Sequence, residues 1–427
     1  MQKLGRLLLA QQVIFSLLVF LIPTQLGYHI FIPSSYIFGI RVDYLAPTVY
    51  LTDILIGVLL TLSFLEKFEI KRLRLNKNDV IYVSSLLVFA VLNIYFSFSR
   101  VPSIIKWVKI LELFLIALYI KNQKSFRIEK LIFIPLLLSG ILFSLIGILQ
   151  FINQKTLGGV FYYLGERTFN AATPGIALGN YFGSWRLRAY STFSHPNSFA
   201  AFLALLLGVA YFFKTKLLFL KIIKYTAIFL GVIALYLSLS RWAIATILFV
   251  IIDFYLNSTR KLNINKMYVW VVVSVVVLSL FSPIIFGHFL EIKETLSETF
   301  FERIYLAKRA EEIVAMKPLF GVGLNNFIVS LTRPGLSEVA WMLQPVHNIF
   351  LLALAETGLI GLLGLTFIFW KCLKNSSKHL TTNNKYAFIF WTLLFVVITG
   401  AADHYWLTLQ QNQLILALLI GLSARKL

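Results

Sequence analysis

The chain has 427 residues, of which 59% are hydrophobic and 13% charged, with a mean hydropathy of +0.82. Soluble domains carry about 25% charged residues, so this composition excludes a soluble globular fold and selects a polytopic membrane protein. Thirty-nine Lys and Arg against 18 Asp and Glu give a net charge of +21, and the single Cys372 excludes an intrachain disulfide and a cysteine-based zinc cluster.

A helix needs about 20 mostly apolar residues to cross a bilayer. In chain order that rule predicts about twelve transmembrane helices, near 7–24, 46–65, 79–98, 103–120, 131–152, 196–213, 222–239, 241–257, 268–287, 347–371, 385–402 and 408–423. The first follows Lys3 and Arg6 and shows no small-residue cleavage site, so it reads as an uncleaved span. At "SLSRW", Ser238–Trp242, two spans meet with almost no loop. The expected fold is therefore an all-α polytopic bundle, one integral-membrane domain over 1–427.

Lys and Arg placement sets the orientation. With the N-terminus inside, the short inner segments hold 24 of the 39 basic residues and the alternation persists through every connection. Both termini are then cytoplasmic, and the positive charge is mostly topology, not a nucleic-acid surface. Two loops exceed simple connectors and both fall outside. The first spans 153–195 and is rich in Gly and aromatics; the second spans 288–346. In the second, Leu296, Phe300, Ile304 and Ala307 recur at helical spacing among Glu and Lys, which predicts an amphipathic helix on the membrane surface or the bundle.

Polar residues at the mouths of apolar helices are costly, so they mark function or a cap. Four clusters qualify, all on the predicted outer side. "RLRAYSTFSHPNSFA" carries Arg188, Ser194, His195 and Asn197; Pro196 suits a first helical turn, Ser194 an N-cap, and a helix N-terminus beside Arg188 an anion. "LSLSRWAIA" carries Ser238, Ser240 and Arg241, and "FERIYLAKRAEEIVAMKPLFGVGLNNF" carries Arg303. The glycines Gly321 and Gly323 lack the βαβ context of a dinucleotide site and read as a tight turn after Pro318. "PVHNIFLLALAETG" carries His347 and Asn348, with Glu356 and Gly358 farther in. Asp53, the Lys106/Lys109/Glu112 group and Asp403-His404 are lesser candidates, and Lys109 and Glu112 are spaced to pair with each other. Each has a plainer reading: a capped helix start, a snorkelling Arg or a solvated helix face.

Five of the six histidines (His29, His195, His288, His347 and His404) fall on the outer side, yet none has local metal-ligand spacing, so no metal or other cofactor is expected. Arginine forks bind phosphate bidentately and stay charged, and a neutral His accepts a proton near pH 7. Together they suit displacement of a phosphate-bearing leaving group by a hydroxyl, with arginine neutralising the departing charge. The aromatic loop can stack on sugar faces, and a polyisoprenyl tail would lie between spans among membrane lipids.

"RAYSTFSHPNSFAAFLAL", "LSLSRWAIA", "ERIYLAKRAEEIVAMKPLFGVGLNNF" and "VHNIFLLALAETGLIGLLG", in that order over about 186–370, resemble the O-antigen ligase / O-antigen polymerase family. The resemblance implies a glycosyltransferase of the GT-C type in the cytoplasmic membrane, working without metal on the outer face. The donor is then an undecaprenyl-pyrophosphate-linked glycan, and the acceptor is lipid A-core for a ligase or a second lipid-linked glycan for a polymerase. It also implies that Arg241 and Arg303 engage pyrophosphate and that His347 lies near the acceptor hydroxyl. Arg188, Asn197, Ser240 and Asn348 are carried as substrate-binding residues. Trp242 departs from the small residue usual after the arginine. The ligase-like reading is favoured over the polymerase. A twelve-span transporter or flippase is the alternative of another class; it predicts internal repeats and midplane charges, and no repeat is found.

Overall fold

The computed structural model describes residues 2–69, 77–123, 127–241, 243–244, 247, 298–332, 342–380 and 385–425. Ten of the twelve predicted spans coincide with a described helix. They are α1 (Gln2–Phe20), α2 (Leu51–Glu69), α3 (Lys77–Tyr95), α4 (Arg100–Asn122), α5 (Ile134–Asn153), α6 (Pro196–Phe212), α7 (Leu218–Leu237), α9 (Ile349–Ser376), α10 (Ala387–Gly400) and α11 (Gln410–Ser423). The span at 241–257 lies mostly, and that at 268–287 wholly, outside the described residues, as do Trp242, His288 and Leu296. Among the described residues, four helices are long and apolar enough to cross a membrane: Lys77–Tyr95, Glu129–Asn153, Leu218–Leu237 and Ile349–His379. Gly5–Phe20, Pro196–Phe212 and Ala387–Gly400 are apolar but shorter.

Burial separates centre from rim. α10 buries nearly every side chain from Ala387 to Val397, whereas α3 and α7 expose Val88, Val91, Phe229 and Val232. In a chain of this composition an exposed apolar face meets lipid, and a helix buried all round sits in the middle. Small residues let the central helices approach closely. A Cβ on Gly421 of α11 would stand 2.8 Å from the Ala117 carbonyl of α4, and one on Gly140 of α5 would stand 2.4 Å from Leu206 of α6.

The all-α expectation needs one correction. Among the described residues, three two-stranded antiparallel sheets lie in the connections at one end of the bundle: β1 (Gly27–His29) with β4 (Thr48–Tyr50), β2 (Tyr36–Ile37) with β3 (Ile40–Arg41), and β5 (Leu178–Tyr181) with β6 (Ser184–Leu187). The last two are hairpins closed by Phe38-Gly39 and Phe182-Gly183, with positive φ at both turn residues (50° and 77°; 48° and 87°). That is the geometry a two-residue hairpin needs to match strand twist. Both hairpins lie in segments predicted to be outside.

The helix α8 (Glu298–Met316) covers the predicted amphipathic segment. It buries Leu306, Ala307, Ala310 and Ile313 in a cluster shared with Leu351, Leu352 and Ala355 of α9, and Ile304 is buried as well. The connection after α8 does more than turn. Gly358 breaks α9, with φ 66° and ψ −170°. Backbone groups freed there must find partners, because an apolar bundle offers no water. The segment 318–323 supplies them: Val322 N donates to Ala355 O (2.9 Å), Gly323 N to Glu356 O (3.0 Å), and Leu359 N to Pro318 O (2.8 Å). Asn93 of α3 ties the same groups down, donating to Phe320 O (2.8 Å) and Glu356 O (3.0 Å) and accepting from Leu324 N and Trp107 Nε1 (2.9 Å each). Gly321, Gly323 and Gly358 all have positive φ, and a Cβ at Gly358 would stand 2.2 Å from the Leu319 carbonyl oxygen. The glycines read as a tight turn are the inserted strap.

Gly358→Ala should therefore cost roughly 1–3 kcal/mol through a forbidden φ and a backbone clash. It should lower the thermal midpoint of the detergent-solubilised protein, while Gly364→Ala, with nothing within 4 Å of its added Cβ, should not. Equal midpoints for the two variants would count against the strap.

Candidate active site

A cavity of about 1510 Å³ opens at the end of the bundle that carries the hairpins. Arg188, Asn197, Ser240, Arg241, Arg303 and His347 all line it, so the structure brings these predicted site residues together from four regions of the chain. Asn348 is the exception. It is 4% exposed and caps α9, its Oδ1 accepting from Phe350 N (2.9 Å) and Leu351 N (3.2 Å). Its side chain is spent on orphan N–H groups, and its effect on the cavity is to start the helix just after His347.

Arg188 is held as tightly. α7 ends at Leu237 and leaves carbonyls without partners. Ala189 N donates to Leu237 O (3.0 Å), and Arg188 Nε donates to Ser238 O at 2.6 Å. A cation at a helix C-terminus also complements the dipole. The Nη2 of Arg188 donates to Asn197 Oδ1 (2.8 Å). Burial lowers the Arg188 guanidinium to about 10, which leaves it charged at neutral pH. The chain then turns sharply: Leu239 is left-handed at φ 44°, Ser240 is buried, and a new helix opens at Arg241. Arg241 is exposed into the cavity and has no partner among the described residues. Arg303, on α8, donates among the described residues only a long bond, 3.3 Å from Nη1 to Ala402 O. Two arginines thus keep donors available, and a third fixes the elbow that presents one of them.

The helix start at 195–197 differs from expectation. His195, not Ser194, is the N-cap of α6, and its Nδ1 accepts from Asn197 N at 3.1 Å. Ser194 Oγ instead accepts from Gln25 Nε2 (2.5 Å). Accepting through Nδ1 requires a neutral ring, in keeping with burial, which pushes His195 down to about 3.

Asn197 carries the network onward. Its Nδ2 donates to Asp403 Oδ2 (2.8 Å), and Asp403 Oδ1 accepts from His404 N (2.8 Å) and faces His347 Nδ1 at 3.4 Å. Burial alone would raise the Asp403 carboxyl, but its hydrogen bond and charge interaction with His347 overcome this and hold it well below the usual carboxylate range. Arg188, Asn197, Asp403 and His347 thus form one continuous polar chain. With Nδ1 turned to a carboxylate, the other ring nitrogen of His347 has no hydrogen bond among the described residues and is able to accept one. Sequence reasoning ranked Asp403 low because its partners stand 56 and 206 residues away. The signal available was the polar run "ADHYW" between two apolar helices, followed by the buried Gln410–Gln413.

His347, Asp403 and His404 place one possible ligand atom each within 4.8 Å of one another. These are the residues that would hold a cation. Their inward atoms already have partners: His404 Nδ1 pairs with Thr408 Oγ1 (2.8 Å), and both Asp403 oxygens are occupied. The donor set as arranged is a hydrogen-bonded network. The lesser candidates Asp53, Lys109 and Glu112 form a separate triad, of which Lys109 lines the cavity and pairs with Asp53 (2.5 Å) and Glu112 (2.9 Å).

The fold and site together define an integral membrane protein with a cation-lined chamber at one end of its helices. Residues 226–366 match the family model described as O-antigen ligase. Over that third of the chain the protein is similar to the O-antigen ligase family, and the match supports a membrane glycosyltransferase-like ligase or polymerase function. The matched segment contains Arg241, Arg303, His347 and the Gly358 break; Arg188, Asn197 and Asp403 lie outside it. No curated protein matches the chain.

The buried histidines predict a pH response. Burial also pushes His404 down to about 3, so between that value and about 6.5 the unfolded chain binds protons that the folded chain refuses. The contribution of both residues is complete above about pH 6.5 and declines as the pH falls. The thermal midpoint should drop between pH 6.5 and 4, and His404→Gln should flatten the slope. A midpoint constant over that window would contradict neutral buried rings.

Proposed function

We propose that this protein transfers a glycan from undecaprenyl pyrophosphate to an acceptor hydroxyl at the outer face of the cytoplasmic membrane, in the manner of an O-antigen ligase. The observation that carries this reading is the convergence of Arg241, Arg303 and the Asp403-paired His347 on one cavity. The cavity lies at the end of the bundle that the Lys and Arg bias assigns to the outside.

The chemistry follows from those groups. The acceptor oxygen attacks the anomeric carbon, and its proton passes to the free ring nitrogen of His347. The bond from that carbon to the pyrophosphate oxygen breaks, and the electron pair leaves on the undecaprenyl pyrophosphate. Arg241 and Arg303 neutralise the charge that grows there, a role that preorganised donors fill well in a site shielded from water. Asp403 orients His347 and stabilises the imidazolium as it forms. Arg188 and Asn197 hold Asp403 and the elbow before Arg241. The carrier's lipid tail extends between helices into the bilayer, and lipid A-core supplies the hydroxyl.

Arg241→Ala, Arg303→Ala and His347→Ala should each reduce glycan transfer by roughly 10²–10³-fold or more while the protein still inserts. Asp403→Asn should lower turnover with little change in donor affinity. The assay is reconstituted transfer from an undecaprenyl-pyrophosphate glycan to lipid A-core. Normal product from all three alanine variants would defeat this mechanism, and transport of labelled glycan without covalent transfer would favour a flippase. Transfer should also survive exhaustive chelation. If EDTA abolished it and a divalent cation restored it, His347, Asp403 and His404 would be metal ligands instead.

A further inference from the structure

Among the described residues, six cationic side chains line the cavity: Lys106, Lys109, Arg167, Arg188, Arg241 and Arg303. The transfer mechanism uses three of them, and Lys109 is neutralised locally by Asp53 and Glu112. Lys106 is neither used nor neutralised. It lies in the second turn of α4, its side chain half-buried against the cavity, and among the described residues no hydrogen bond or ion pair reaches its ammonium.

The nearest source of compensation is already committed. Glu356 is the carboxylate whose charge acts on Lys106, yet no ion pair within 4.0 Å forms between them. Glu356 Oε1 accepts from Phe327 N (3.1 Å), and the carboxylate also takes a bond from the backbone at Asn325, as the strap beside the α9 break requires. The arginines do not share this corner. Arg188 interacts electrostatically with Arg241 and Asp403, whereas the charges felt by Lys106 are those of Glu356 and Lys109. Lys106 and Arg188 thus have different electrostatic neighbours. The cavity's volume of about 1510 Å³ exceeds the roughly 300–1,000 Å³ of a single-ligand pocket, so it has room for two substrates side by side.

We propose that Lys106 marks a second anionic subsite, which binds a phosphate group of the acceptor while the arginines hold the donor pyrophosphate. The inference rests on the transferase reading for the word acceptor, although the subsite itself can be tested without turnover. An ammonium on a flexible stem suits this task, because it serves as a point charge for phosphate without the geometric demand of a guanidinium fork. A partly buried, unpaired ammonium is also costly to retain, and a bound phosphate removes that cost.

The test is acylation of the full-length protein in phosphatidylcholine nanodiscs with an amine-reactive ester, read residue by residue by mass spectrometry. Lys216, exposed between α6 and α7, and Lys221, exposed in the first turn of α7, serve as internal references. Three probes are compared: inorganic pyrophosphate, a phosphorylated core oligosaccharide with its dephosphorylated form, and discs containing phosphatidylglycerol. The expected result is about tenfold slower labelling of Lys106 with a phosphate-bearing probe, no protection by the dephosphorylated sugar, and retention of the effect in Arg241→Gln and Arg303→Gln. Protection by the oligosaccharide or pyrophosphate identifies a substrate phosphate, and protection only in phosphatidylglycerol discs identifies a lipid headgroup. Absence of protection by every probe, or its disappearance in both arginine variants, overturns the subsite. The transferase reading fails separately, if those same arginine variants transfer glycan normally.

Discussion

Every free backbone group inside an apolar bundle must find a partner within the protein, and that constraint organises this structure. The break at Gly358 opens hydrogen-bonding groups in the middle of α9. The 318–323 strap closes them through Val322, Gly323 and the Pro318 carbonyl. The strap is also the continuation of α8. One set of backbone bonds therefore joins the helix that carries Arg303 to the helix that begins just after His347. Asn93 and Trp107 fasten the strap to α3 and α4, so the wall bearing Lys106 belongs to the same frame. The separation of the charged groups is set by bonds that involve none of them.

A second set of bonds works around Arg188, by electrostatics more than by shape. Arg188 closes the C-terminus of α7 and passes a hydrogen-bonded line through Asn197 and Asp403 to His347. Charged groups inside low-dielectric surroundings are expensive unless they are paired. Here the pairing of one arginine and one carboxylate leaves Arg241 exposed toward the cavity and one ring nitrogen of His347 available. Structural polarity and reactive polarity are thus divided between different side chains of the same cluster. The division explains why several polar residues crowd one helix mouth: most of them support the others.

Much of this was legible in the sequence. Ten apolar runs coincide with helices because burial and lipid contact both select for continuous apolar surface. Arg241 and His347 stood out because each interrupts or opens such a run, whereas Arg303 lies among other charges and stood out through the family resemblance. What was not legible depended on partners distant in the chain. Asp403 acquires meaning only beside His347, and Lys106 only because Glu356 is engaged elsewhere. Arg188 and Asn348 were recognised as polar residues at the cavity end, but the sequence could not show that helix ends consume their donors and acceptors. The run 347–371 hid its own break, since Gly358 sits in an apolar context that continuous helix would also explain. The short hairpins escaped because strands of two to four residues carry no measurable alternation.

Leu239 has a consequence of its own. A branched aliphatic residue held at φ 44° sits in a region that costs a non-glycine residue on the order of 1–2 kcal/mol. Glycine would relieve that cost, but it would also remove the side chain that packs against Gly179 of β5, where an added Cβ would stand 2.4 Å from Leu239 Cδ1. The joint is therefore stiff in both directions: its backbone resists the conformation, and its side chain is locked into the hairpin that enforces it. Such a joint behaves as a detent and not as a hinge. The backbone that leads into Arg241 is thereby tied to a hairpin far from it in sequence.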